Sequence, residues 1–185
     1  GPGVPEGTLI APNGAAFHRG KGILSGLLDQ LFEHREQAKL RKDKIASQAI
    51  KILMNSFYGV LGTPGCRFYR PDLASAITSF GQEILLWTKK RIEEHGYRVL
   101  YGDTDSLFVE SGADDSQAAT ALGERLLVEI NREVGEWIAE RWGVESRLEL
   151  ELERLYRQLI LPSVRHGSAG ARKRYVGLVG EGDAA

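Results

Sequence analysis

The stretch Tyr97–Ser111, YRVLYGDTDSLFVES, decides the fold class. It is rich in β-branched and aromatic residues on both sides of Gly102-Asp103-Thr104-Asp105, which reads as two strands folded about a turn. Helical patterns flank this hairpin. Upstream, Pro71-Asp72 suits a helix start and His95-Gly96 a helix stop. Downstream, Leu122, Leu126, Leu127, Ile130, Val134, Trp137 and Ile138 fall on one helical stripe between Ser116 and Trp142. Residues 146–161 alternate at Leu148, Leu150 and Leu152, predicting a strand with one buried face. A loop with Pro162 follows, then RYVGLV at residues 174–179, a further strand. Helices packed on an antiparallel sheet make an α+β domain.

The N-terminal third has another character. Residues 1–22 are rich in Gly and Pro without apolar period, and predict a loop or tail. Leu24, Leu27, Leu28, Leu31 and Phe32 sit at helical spacing, and a second helix is expected from about Asp43 to Leu61, ending at Gly62-Thr63-Pro64-Gly65. Two helices joined by a short polar turn predict an antiparallel hairpin over residues 23–62. CRFYR, Cys66–Arg70, reads as a short strand, and residues 63–185 make up the rest of the fold.

The bulk numbers narrow the class without naming it. The chain has 185 residues, 42% hydrophobic and 26% charged, which is globular composition. Its net charge of −1 gives no global pull toward nucleic acid or membrane, so any such attraction comes from local clustering. The single cysteine, Cys66, excludes an internal disulfide and a cysteine-rich zinc site. No apolar run approaches the roughly 20 residues that span a bilayer. The first residue is not Met and the last six are GEGDAA, so the chain reads as cut at both ends.

Asp103 and Asp105 stand two apart beside Gly102. Two carboxylates held close repel unless a cation lies between them. Mg²⁺ suits such a pair: it prefers oxygen donors and is commonly held by one or two carboxylates plus phosphate oxygens. An ordinary Asp-rich hairpin turn has the same spacing. A helix-loop-helix calcium loop is excluded, because Leu107 and Phe108 stand where it needs an oxygen ligand and a Gly.

Lys44, Gln48, Lys51, Asn55 and Tyr58 lie within about 80° of arc on the second helix. Ala46, Ala49, Ile50, Leu53, Phe57 and Val60 occupy the opposite side, the expected buried face. On the first helix Arg35 and Lys39 are i, i+4 neighbours. Paired across the hairpin, Arg35, Lys39 and Lys51 would form a cationic cluster suited to a polyphosphate. A solvated helix face is the plain alternative. Against it, Tyr58 is followed by Gly59 within the helix, where Gly costs about 1 kcal/mol. Near the C-terminus, Lys173 and Tyr175 alternate with Arg172 and Arg174. A cation beside an aromatic suits a nucleic-acid backbone, and equally a charged edge strand guarded against aggregation.

Together these elements resemble the B-family DNA polymerases, of the bacterial DNA polymerase II branch. KILMNSFYG, Lys51–Gly59, is similar to that family's fingers motif K-x-x-x-N-S-x-Y-G. YGDTDS is similar to its palm metal motif, Lys173-Arg174-Tyr175 to its K-x-Y element, and Arg35 with Lys39 to the opposing fingers helix. GCRFYRPDLASAITSFGQEIL, residues 65–85, also resembles the palm. The resemblance implies a fingers hairpin over 23–62 and a partial palm over 63–185. It implies that Arg35, Lys39 and Lys51 bind the triphosphate of a dNTP, that Asn55 helps place it, and that Tyr58 lines the floor under the nascent base pair. Asp105 would be the principal ligand and Asp103 the lesser one in a two-metal Mg²⁺ site. Lys173 and Tyr175, with Arg174 between them, would hold the primer strand of primer–template DNA. Replication or repair in a bacterial cytoplasm, at the nucleoid, and a sliding clamp met through a longer parent chain are further implications.

The family's upstream motif D-x-x-S-L-Y-P does not occur in the sequence, nor does a D-x-E exonuclease signature. The metal site is therefore expected to be incomplete, and the chain inactive on its own. Two other classes stay open on the residues: a D-x-D nucleotide-sugar transferase, and a non-catalytic DNA-binding relic of a polymerase.

Overall fold

The computed structural model describes residues 7–20, 22–103, 105–161 and 175–179, with Tyr101 and Asp103 by their backbones alone. Among the described residues, four helices and short antiparallel strand pairs make an α+β fold, and the chain divides into two compact units, residues 1–80 and 81–185.

The first unit opens with a feature the sequence reading placed in a loop. β1 (Thr8–Ile10) pairs antiparallel with β2 (Ala16–His18). The turn Ala11-Pro12-Asn13-Gly14 is closed by Gly14 N–H donating to Ala11 O at 2.8 Å, and Gly14 takes φ +87°. Pro at the second turn position and Asn-Gly after it are the chemistry such a turn asks for. Ala11 is buried, and Asn13 Nδ2 donates to Ser75 Oγ at 3.3 Å, so the hairpin is anchored rather than a tail.

α1 (Ile23–Leu40) and α2 (Lys44–Gly62) form the expected helical hairpin. Asp43 N–H donates to Ala38 O at 2.9 Å and Lys42 N–H to Lys39 O at 2.9 Å, with Lys42 at φ 57°. This 6→1 and 5→2 pattern is a Schellman stop, made here by a residue with a Cβ. Asp43 at once caps α2, accepting from Ala46 N–H at 2.9 Å. The covered face of α2 overlaps the one expected in part. Ala46, Ile50, Phe57 and Val60 are covered as expected, Met54 and Leu61 are covered as well, and Ala49 and Leu53 are exposed. Lys51 and Tyr58 stand at the border of this covered stripe.

The strand expected at Cys66–Arg70 is absent. Tyr69 N–H donates to Cys66 O at 3.1 Å and Arg70 N–H to Leu61 O at 2.8 Å, so turns tie this backbone to the end of α2. Arg70 and Asp72 form a two-pronged pair (3.0 and 2.7 Å) at the start of α3 (Pro71–Glu94), a helix whose first part belongs to the first unit and whose remainder to the second.

In the second unit α4 (Ser116–Trp142) buries Ala119, Leu126, Ile130, Val134, Ile138 and Trp142, the stripe its sequence predicts. Asp115 caps its start at 2.8 Å and Gly143 its end at φ 62°. All three tryptophans meet there: Trp87 of α3 stacks on Trp137 at 4.8 Å, and Trp142 meets Trp137 edge-on at 5.0 Å. β3 (Arg98–Asp103) pairs antiparallel with β4 (Ser106–Glu110), and β5 (Tyr156–Ile160) with β6 (Val176–Val179).

Where one buried-face strand was expected over the alternating leucines, residues 144–155 carry no ladder. Asn131 of α4 satisfies the backbone of Leu150 on both sides, donating to its O at 3.0 Å and accepting from its N–H at 2.8 Å. A helix side chain does there what a neighbouring strand would do. Leu148 and Leu152 stay 44% and 45% exposed, so the alternation does not mark a covered face. Pairing starts only at Tyr156, where β6 arrives.

Candidate active site

The D-T-D turn stands at the tip of β3–β4. The register pairs Tyr101 with Phe108, Gly102 with Leu107 and Asp103 with Ser106, and Asp105 stands just before β4. A Cβ on Gly102 would lie 2.9 Å from Leu107 Cδ2, so the strands approach closely just before the aspartates. The far end of the hairpin is clipped by Arg98 and Glu110 at 3.3 Å. Asp105 is exposed, and its Oδ1 accepts a long hydrogen bond, 3.5 Å, from Ser106 Oγ. An exposed carboxylate at a strand tip, with a second aspartate ending the strand before it, offers hard oxygen donors of the kind Mg²⁺ takes. Among the described residues no group of three or more His, Cys, Asp or Glu could hold a metal ion.

Tyr175 meets this hairpin. Its ring lies edge-on to Phe108 of β4, with centroids 4.9 Å apart, and edge-on to Tyr156 of β5 at 6.4 Å. Phe108 and Tyr156 complete the cluster at 5.9 Å. The developing charge of Tyr156, and after it desolvation, pushes the Tyr175 phenol above its ordinary value. The K-x-Y tyrosine is therefore set against the strand that leaves the D-T-D turn. Lys173 and Arg174 lie outside the described residues.

The five residues assigned to nucleotide binding all belong to the helical hairpin of the first unit. Arg35 and Lys39 are half-buried one turn apart on α1, and Lys39 Nζ sits 3.2 Å from Glu36 Oε1. Lys51 is half-buried on α2, Asn55 exposed beyond it. Tyr58 is fixed at its hydroxyl, 3.1 Å from Thr78 Oγ1. Thr78 gives its own proton to Ala74 O at 2.9 Å, so Tyr58 is the donor. The hydrogen bond to Thr78 holds the half-exposed phenol at its tip.

The sequence reading passed over Phe108, Tyr156 and Thr78.

The profile of DNA polymerase family B matches residues 8–184 of the chain. The chain belongs to DNA polymerase family B. The DNA polymerase II of Escherichia coli K12 is 43% identical over 173 residues, which cover 91% of this chain and 22% of that protein. A DNA polymerase alpha catalytic subunit from Arabidopsis thaliana is 37% identical over 122 residues (60% of the chain, 8% of the relative). The mouse alpha catalytic subunit is 30% identical over 172 residues, 86% of the chain and 10% of the relative. The chain thus spans about a fifth of the length of the family B polymerase it matches over most of its residues. Family B membership sets aside the nucleotide-sugar transferase. Among the described residues, no helix is long and apolar enough to cross a membrane.

Proposed function

We propose that this chain is the nucleotide-gripping and metal-holding part of a DNA-directed DNA polymerase, which joins a dNTP to the 3′-hydroxyl of a primer. The observation that carries the reading is the contact of Tyr175 with Phe108 beside the D-T-D turn in a chain of family B. It joins two motifs that are 67 residues apart in sequence and have no shared structural purpose as isolated patterns.

Asp105, with Asp103, would hold Mg²⁺. The metal, when bound, lowers the pKa of the attacking hydroxyl and neutralises charge on the phosphates. Arg35, Lys39 and Lys51 spread positive charge over the triphosphate, where Arg supplies a fork and the lysines point charges. Asn55 orients the nucleotide and Tyr58 supports the base pair, its ring held by Thr78. Tyr175, with Lys173 and Arg174, steadies the primer strand. The bacterial relative supports a place in the cytoplasm with the DNA, and any sliding clamp would be met through other parts of such a polymerase.

Titration of the chain with a fluorescent dNTP tests the reading. Binding that strengthens with Mg²⁺ and weakens about tenfold in Lys51→Ala, one lost charge-assisted contact, supports it. Binding unchanged by both would leave a DNA-binding relic as the better description.

A further inference from the structure

We infer that Phe108 and Tyr156 are positioning residues: they lock Tyr175 to the D-T-D hairpin, so that the primer-strand contact and the metal-holding turn move as one body. This rests on the proposed role of Tyr175.

The geometry is specific. Phe108 stands two residues after Ser106, the register partner of Asp103, on a strand of five residues. A ring on that strand cannot shift without carrying the turn along. Tyr175 presents its edge to Phe108 at 4.9 Å with planes 65° apart, and to Tyr156 at 6.4 Å with planes 84° apart. Edge-to-face pairs are the favoured arrangement of aromatic quadrupoles, and three mutually touching rings resist rotation better than one pair. Tyr175 itself precedes β6 and is 40% exposed, so its own strand does not fix it.

Tyr156 is fixed from the other side. Two residues beyond Tyr175, a Cβ on Gly177 would overlap the Tyr156 ring, so the ring lies directly against the bare backbone of β6. The ladder holds that arrangement, with Leu159 opposite Gly177 and Tyr156 opposite Val179. Three separate pieces of chain (β4, β5 and the residue before β6) therefore converge on one aromatic joint. The Tyr175 phenol is raised above its ordinary value, first by the charge of Tyr156 and then by desolvation, in keeping with the proximity of the two rings.

The test uses the 185-residue chain and a labelled primer–template DNA, with affinity read by fluorescence anisotropy. Tyr175→Ala is compared with Phe108→Leu, Tyr156→Leu, and each of the latter combined with Tyr175→Ala. Expected is a loss of about threefold to tenfold for each single variant, the size of one aromatic contact, with no further loss in the double variants. Phe108→Tyr retains the ring and retains affinity. A second readout does not involve DNA: the ultraviolet titration of Tyr175, isolated by difference from Tyr175→Phe, moves to lower pH in Tyr156→Phe. If Tyr175→Ala binds as tightly as the unsubstituted chain, the role of Tyr175 fails and this inference goes with it. If Tyr175→Ala weakens binding while Phe108→Leu and Tyr156→Leu do not, or if the losses add, the positioning role alone is overturned.

Discussion

Arg91 grips Glu133 through two hydrogen bonds, Nε to Oε2 at 2.7 Å and Nη2 to Oε1 at 3.1 Å, tying the last turn of α3 to the middle of α4. His95 Nε2 lies 3.1 Å from Glu133 Oε2, and Glu94, Glu129 and Arg132 surround the pair. The Arg91 guanidinium, and then His95, hold the Glu133 carboxyl down from 4.5 to about 2. A depressed carboxyl stabilises the fold above its ordinary value and loses that contribution as pH falls through the folded one. Glu133→Gln is expected to lower the melting midpoint at neutral pH. The gap to the unsubstituted chain closes as pH drops from about 4.5 toward 2, read by circular dichroism melts.

Glycines separate by what stands over them. Gly177→Ala forces a methyl into the Tyr156 ring and is expected to destabilise by about 1–3 kcal/mol, the range for overpacking. Gly102→Ala meets only the tip of Leu107, which can turn aside, so its cost is smaller. Gly135, inside α4, has open space, and Gly135→Ala should stabilise by about 0.5–1 kcal/mol through helix propensity. Urea unfolding of the three variants checks the order. Equal effects would mean that close packing is not what these positions require.

The corner between α1 and α2 carries a residue in the left-handed region, Lys42 at φ 57°. Lys42→Gly removes the Cβ conflict and is expected to stabilise by about 1 kcal/mol. Asp43→Ala removes the cap on α2 and should cost about 1 kcal/mol. Chemical unfolding followed by helical circular dichroism reads both. Because the corner aims α2, the Asp43 variant should also weaken dNTP binding slightly, and the Lys42 variant should not.

The long periodic elements were legible in the sequence because one physical signal dominates each. The stripe of α4 and the β3–β4 hairpin are of this kind: the buried residues repeat at helical spacing, and the strand residues are β-branched or aromatic about a turn. The covered side of α2 was legible only in part, Ala46, Ile50, Phe57 and Val60 but not Ala49 and Leu53, because its sequence has apolar residues over more than half its circumference and tertiary packing selects among them. The alternating Leu148, Leu150 and Leu152 resemble a strand, yet whether a ladder forms depends on a distant partner, and Asn131 took that place. The N-terminal hairpin was readable from Asn13-Gly14 and was hidden by the surrounding Gly and Pro. At the site, motif spacing singled out the charged residues to which roles are proposed, whereas Thr78, Phe108 and Tyr156 carry no motif and their contacts appear only when the chain is folded.

The sequence carries Asp103 and Asp105 without the D-x-x-S-L-Y-P motif, so the 185-residue chain alone is expected to extend a primer at no more than trace rate with Mg²⁺. Sustained extension by the isolated chain would show that two aspartates suffice.

The central claim is that Asp105 serves polymerase chemistry. It is tested most directly by placing this chain in Escherichia coli DNA polymerase II, in exchange for the segment it matches at 43% identity, and measuring primer extension with and without Asp105→Ala. The account predicts that the chimera extends primers and that the substitution removes at least about a hundredfold of that rate, as expected for a metal ligand. Extension by the Asp105→Ala chimera at the unsubstituted rate, or a cooperatively melting chimera that extends nothing, would contradict it.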